Sequence, residues 1–161
     1  MNTTQNWPQD YGLPQDHCAD VLRGSYDVPI PLNEDAPPVI IDIGANVGAF
    51  VRWASMRWPG CTVHAYEPEP GNFALLQKTV NTFSGIKAVL HNVAVADVET
   101  EATLHEGQFN CGEWSLFSDN GKGTRKVSVI AATSLPKGDI LKIDAEGAEM
   151  LILNQLSSSG K

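Results

Sequence analysis

The run Val39-Ile40-Ile41-Asp42-Ile43 passes directly into Gly44-Ala45-Asn46-Val47-Gly48, and no other stretch narrows the choice of fold as far. A β-branched run of this kind forms a strand buried on both faces, which requires a sheet covered by helices on each side. Beyond the turn, Val47, Phe50, Val51, Ala54 and Trp58 fall at helical spacing, and Pro59-Gly60 stops the helix. Thr62 to Tyr66 predicts a second strand. After Pro70 a helix carries Phe73, Leu76, Val80 and Phe83 on one face, Ser84-Gly85 ends it, and Lys87 to His91 predicts a third strand. Ile140 to Asp144 resumes the pattern, followed by a helix presenting Ala148, Leu151, Ile152 and Leu156. Strand and helix in alternation, joined by short turns, imply a doubly wound, mostly parallel α/β sheet.

Two segments break the alternation. Residues 1–38 contain Pro8, Pro14, Pro29, Pro31, Pro37 and Pro38, and each proline removes a backbone donor and restricts its predecessor. An N-terminal arm is expected, with a short helix over 16–24 capped by Asp16, and with Trp7 and Tyr11 docking it. Residues 95–133 hold short β-like stretches, Glu101 to His105, Trp114 to Ser118 and Lys126 to Ala131, between glycine-rich turns. They predict an antiparallel insertion or flap within a single domain over 39–161.

The composition excludes several classes of function. A formal net charge of −8, from 11 basic and 19 acidic residues, lacks the clustered Lys and Arg of a nucleic-acid grip. No apolar run approaches the roughly 18 residues a membrane span needs. The start of the chain has neither a basic nor an apolar segment of the signal-peptide kind. Cys18, Cys61 and Cys111 have no CxxC or zinc-like spacing, so reduced thiols and a cytoplasmic setting are expected.

In an open parallel sheet, ligands bind beyond the carboxyl ends of the strands. The first segment placed there is Asp42 to Gly48. Gly44 allows the sharp turn and Gly48 the close packing of the helix start against the sheet. A dinucleotide fingerprint requires G-x-G-x-x-G, but Asn46 occupies the slot of the second glycine. A glycine turn preceded by an acid suits a cationic amine better than two phosphates. At the next strand end stands Glu67, in Tyr66-Glu67-Pro68-Glu69-Pro70, where a carboxylate can accept both hydroxyls of a ribose. Glu69, between prolines, is expected to cap the following helix.

After the third strand, Asn92 and the Val93 backbone can bracket an adenine ring. Asp97 is a candidate cap for the turn into the insertion. These stretches together describe an adenosine pocket without a pyrophosphate clamp. The fourth, Lys142-Ile143-Asp144-Ala145-Glu146-Gly147-Ala148-Glu149, crowds three acids and a lysine at one strand end. Acids in a helix first turn are favoured by the dipole, which accounts for Glu146 and Glu149 without a site. Asp144 ends its strand and points into the crevice, and like-charged neighbours move a carboxylate toward general-base values.

These motifs, in this order over about residues 23–153, resemble the FkbM family of S-adenosylmethionine-dependent methyltransferases. They are Val39-Ile-Ile-Asp-Ile-Gly-Ala-Asn-Val-Gly48, Tyr66-Glu-Pro68, Asn92-Val-Ala-Val-Ala-Asp97 and Leu141-Lys-Ile-Asp-Ala-Glu-Gly-Ala-Glu149, with Tyr26 in the lead-in. The resemblance implies a Rossmann-like fold that holds S-adenosylmethionine and releases S-adenosylhomocysteine. Gly44, Ala45 and Asn46 would wrap the methionine part, Asp42 would lie near its ammonium, Glu67 on the ribose, and Asn92 with Val93 near adenine. It further implies O-methylation of a sugar, glycolipid or polyketide-like small molecule by in-line displacement. Asp144 or Glu146 would take the acceptor's proton, with His105 and His17 as weaker candidates. No metal is expected: catechol-type methyltransferases place a metal-binding acid where Asp144 stands, but their other ligands lie after a further strand.

Such methyltransferases continue to fifth, sixth and seventh strands, which are not expected before Lys161. The fourth strand would then be a sheet edge, to be covered by the arm, the insertion or a second copy in a homo-oligomer. Two other functions fit less of the pattern. One is a non-catalytic or truncated S-adenosylmethionine-binding domain. The other is a nicotinamide-dependent oxidoreductase, which the broken glycine fingerprint disfavours. Trp7, Tyr11, Trp114 and Phe117 are candidates to stack on an acceptor.

Overall fold

A computed structural model describes Val21, Tyr26 and residues 36–106, 114–117 and 122–160. The expected helix over 16–24, apart from Val21, and the candidates Trp7, Tyr11, His17, Cys18 and Cys111 lie outside the described residues.

Strand β1 (Val39–Ile43) leads into helix α1 (Ala49–Arg57), β2 (Thr62–Tyr66), α2 (Pro70–Val80) and β3 (Lys87–His91). Then follow β4 (Ala94–Ala96), β5 (Thr100–His105), β6 (Thr124–Ala131), a 3-10 turn (Ala132–Ser134), β7 (Ile140–Ile143) and α3 (Glu149–Ser158). The main sheet is parallel throughout, in the order β3-β2-β1-β7. Successive strands step outward from β1 to β3, and then the chain returns to the other side of β1. Strand order therefore reverses between β1 and β7, the place where open α/β sheets hold ligands. Among the described residues β7 has no second neighbour, as expected of the fourth strand.

Alternation along β1 divides the core. Ile40 faces α1 and α2, packing with Phe50, Val51, Val63, Ala65 and Leu76. Ile41 and Ile43 face the other way, onto Leu135, Ala148 and Ile152. Helices on both faces leave β1 with only one residue short of full burial, Val39 at its start. Cys61 is a free thiol within the first of these cores.

The insertion differs from expectation in two ways. Its sheet has the order β4-β6-β5; β5 and β6 pair antiparallel, but β4 joins β6 in parallel. Ala94–Ala96 is fully buried, so this strand needs a partner for its backbone groups, and β6 supplies one on return. The stretch from Trp114 forms no described strand; Ser115 makes a single bridge to His105.

Candidate active site

The carboxyl ends of the main strands are aligned by register: Ile43 pairs with Tyr66 and Ile143, and Tyr66 with His91. The segments that follow border one cavity of about 450 Å3. Gly44, Ala45, Asn46, Glu67, Val93, Asp144 and Glu146 line it from the strand ends. Tyr26 on one side, and Leu104, Trp114 and Leu116 of the insertion on the other, complete the walls.

Gly44 has φ +75°, and a Cβ there would collide with the Asp144 carbonyl oxygen. The turn also uses its own amides. Those of Gly44 and Ala45 both donate to the Tyr66 carbonyl at 3.0 Å, and that of Gly48 to Ala45 at 2.9 Å. The Asn46 amide donates to Glu67 Oε2 at 2.8 Å. A phosphate-binding loop presents such amides to its ligand, so this turn has little left with which to hold a pyrophosphate. Asn46 adopts φ +50°, and its side-chain oxygen is buried without a hydrogen-bond partner among the described residues. That oxygen is an acceptor suited to an ammonium group.

Glu67 is only 5% exposed and lines the cavity. Its other oxygen accepts from the Glu69 amide at 2.9 Å. Burial pushes its carboxyl up to about 7, against the lowering effect of the Glu69 and Asn46 amides. Glu69 caps α2 as expected, accepting from the Asn72 amide at 2.7 Å, and it pairs with Arg125 of β6 at 2.9 Å. Arg125 also lies over the Trp114 ring, which ties the insertion to the end of β2.

Three of the anticipated binding residues stand behind the cavity wall. Gly48 has φ +89°, and a Cβ there would meet Leu76 and Thr79 of α2. Asn92 donates its amide to the carbonyls of Glu67 and Pro68 at 2.8 and 3.1 Å, so it holds the β2 loop, while Val93 lines the cavity. Asp42 is fully buried and pairs with Lys142 Nζ at 3.0 Å. The charge expected beside the turn is thus compensated from the neighbouring strand, because Asp42 and Lys142 are register partners on one face.

Lys142 was noted in the sequence only as part of a charged cluster. Its ammonium donates to the Gly44 carbonyl at 2.6 Å and lies 3.4 Å from that of Ile43. Burial alone would push it down, but Asp42 and Asp144 outweigh burial and hold it above the ordinary lysine value. The signal was a lysine inside one apolar strand and an aspartate inside another: each charge, once buried, requires a partner.

Asp144 is 62% exposed at the end of β7, with Oδ2 3.8 Å from Lys142. Glu146 sits at φ +48°, and its carbonyl accepts from Ser115 Oγ at 2.6 Å. Glu149 closes the turn, accepting from the amides of Ala145 and Gly147 at 2.8 and 2.9 Å. Asp97 makes its contact through its carbonyl, which accepts from Gln155. His105 is on β5 and does not line the cavity, and Phe117 is exposed beside Gly147. Among the described residues no group of three His, Cys, Asp or Glu side chains is placed to hold a metal ion, and no helix is long and apolar enough to cross a membrane.

A family model described as the methyltransferase FkbM domain matches residues 42–160. The 31-O-demethyl-FK506 methyltransferase FkbM of Streptomyces tacrolimicus is 45% identical over 56 residues, 35% of this chain and 18% of that protein. Methyltransferase sdnD of Sordaria araneosa is 24% identical over 86% of this chain and 64% of its own length. The hexuronic acid methyltransferase AglP of Haloferax volcanii is 24% identical over 86% of this chain and 59% of its own. The chain thus spans less than two thirds of these curated relatives. No solved structure matches it significantly.

Proposed function

The chain belongs to the FkbM methyltransferase family, and from that premise we propose that it binds S-adenosylmethionine and methylates a hydroxyl of a small molecule. A sugar, glycolipid or polyketide-like acceptor fits the names of its relatives, which include an FK506-type and a hexuronic acid methyltransferase. The observation that carries the reading is the fastening of the glycine turn to Glu67 at 2.8 Å, both on one cavity with Val93. The turn's amides are committed within the protein, which favours this cofactor over a dinucleotide.

The residues present fit such a group. Asn46 Oδ1, buried and unpartnered among the described residues, would accept from its ammonium. Glu67 would accept from the ribose hydroxyls and Val93 would flank the adenine. Asp42 serves through Lys142, Gly48 through its packing on α2, and Asn92 through its hold on the β2 loop. When bound, the cofactor supplies an electrophilic methyl for in-line attack by the acceptor oxygen. The protein's part is to orient the acceptor and exclude water, where positioning provides much of the acceleration. Asp144, exposed at the strand end, takes the hydroxyl proton as the oxygen gains its methyl, with Glu146 the second candidate base. In this reading residues 39–161 form the cofactor-binding domain, 1–38 its arm and about 95–133 its insertion.

Calorimetric titration with S-adenosylhomocysteine, alongside NAD, tests the reading. One-to-one binding weakened at least about tenfold by Glu67→Ala is expected, since the ribose bonds to a carboxylate contribute about 1.5–3 kcal/mol each. Binding of NAD in preference would refute it.

A further inference from the structure

Lys142 connects parts of the site that lie far apart in sequence. Its ammonium has three N–H donors. It reaches the Gly44 carbonyl at 2.6 Å, Asp42 at 3.0 Å and, at 3.8 Å, the Asp144 carboxylate. Buried as it is, the ammonium must place each of these donors, and one of them goes to the glycine turn. The contacts also close on themselves. The Asp144 amide donates to the Ile43 carbonyl at 3.0 Å, and the Asp144 carbonyl oxygen occupies the space a Cβ on Gly44 would take. Gly44, Lys142 and Asp144 therefore form a ring in which each touches the other two. The lysine side chain is 9% exposed and the Asp144 side chain 62%, so the ring joins a dry interior to the cavity mouth.

We propose that Lys142 is a positioning residue that ties Asp144 to the glycine turn, so that a ligand seated on the turn is felt at the Asp144 carboxylate. The proposal rests on the cofactor reading above and gives it a second element. Pulling on the Gly44 carbonyl shifts the ammonium, and the ammonium is a cation 3.8 Å from Asp144 Oδ2. Seating the cofactor thereby orients the carboxylate that meets the acceptor hydroxyl. The coupling runs through contacts with named partners and not through general stiffening.

The test follows the side-chain 13Cγ resonance of Asp144 in the full chain as S-adenosylhomocysteine is added to saturation. The resonance is assigned by its disappearance in Asp144→Asn. Lys142→Met alone strands a buried carboxylate and endangers the fold, so the comparison is Asp42→Asn/Lys142→Met, which removes both buried charges together. The resonance is expected to move in the wild type and to move less than about half as far in the double variant. Equal movement in both proteins overturns the proposal, because the coupling then does not run through Lys142. Binding heat in the wild type with no movement at Asp144 overturns it as well. No binding heat from folded wild-type protein instead refutes the cofactor reading and removes the relay with it, which separates the two failures.

Discussion

The backbone amide of Asn46 donates to Oε2 of Glu67 at 2.8 Å, fastening the turn after β1 to the acid after β2. Glu67 is 5% exposed, and its second oxygen is held by the Glu69 amide. One carboxylate therefore organises two loops while facing the cavity, and its protonation is expected to govern both stability and binding.

Burial raises the Glu67 carboxyl from 4.5 to about 7. The folded state then holds this proton more tightly than the unfolded chain, so the contribution of Glu67 to stability is fully present at or below pH 4.5 and is lost as pH rises to about 7. At 1.36 kcal/mol per pH unit the loss is roughly 3 kcal/mol. Ribose hydroxyls donate to the ionised form, so affinity for S-adenosylhomocysteine should move the opposite way, rising about tenfold across neutrality. Urea unfolding and calorimetry between pH 5 and about 8 check both slopes. Glu67→Gln should flatten them, at the cost of one amide bond.

Gly44→Ala places a methyl group against the Asp144 carbonyl at a backbone φ of +75°. The left-handed conformation alone costs about 1–2 kcal/mol for a residue with a side chain, and the collision adds to it. Gly85→Ala is the control: φ is +92° there, but nothing lies within 4 Å of the new methyl. Denaturant midpoints should separate the two variants clearly, and only Gly44→Ala should impair binding.

Removing the Lys142 charge alone leaves Asp42 buried and unpaired. Lys142→Met is expected to cost about 3–5 kcal/mol, whereas Asp42→Asn/Lys142→Met should recover most of that loss. Thermal or urea unfolding of the four proteins in this cycle measures the difference. Additive effects would contradict the 3.0 Å pair.

Ser115→Ala removes the hydroxyl that donates to the Glu146 carbonyl at 2.6 Å and accepts from the Phe117 amide at 3.1 Å. Ser115 is buried, so a cost of about 1–3 kcal/mol is expected, as for a buried group left unpaired. Hydrogen exchange should quicken at Phe117 and not in β1, since the insertion loosens there without the main sheet.

The order of strands and helices was legible because each carries a local period: β-branched runs at 39–43 and 62–66, helical spacing from Val47 to Trp58, glycine or proline at the ends. Gly44, Glu67 and Asp144 were legible as residues of the cavity wall for a similar reason. A residue that ends a parallel strand is delivered to the same edge of the sheet whatever else the chain does. The N-cap role of Glu69 followed from its place before Pro70, and the structure agrees.

Other features depended on which strands became neighbours. Asp42 and Lys142 are 100 residues apart, and only the pairing of β1 with β7 turns two costly buried charges into one ion pair. The same pairing sets the Asp144 carbonyl against Gly44 and the lysine on the Gly44 carbonyl. Asn92 reaches the β2 loop because β2 and β3 are in register, and β4 runs parallel to β6 because the chain returns to cover it. Local spacing determines which residues can form a strand, what ends it and which side chains share a face. Register between strands far apart in sequence is decided by burying their shared apolar faces together, and that tertiary choice assigned the partners of Asp42, Gly48, Asn92 and Lys142.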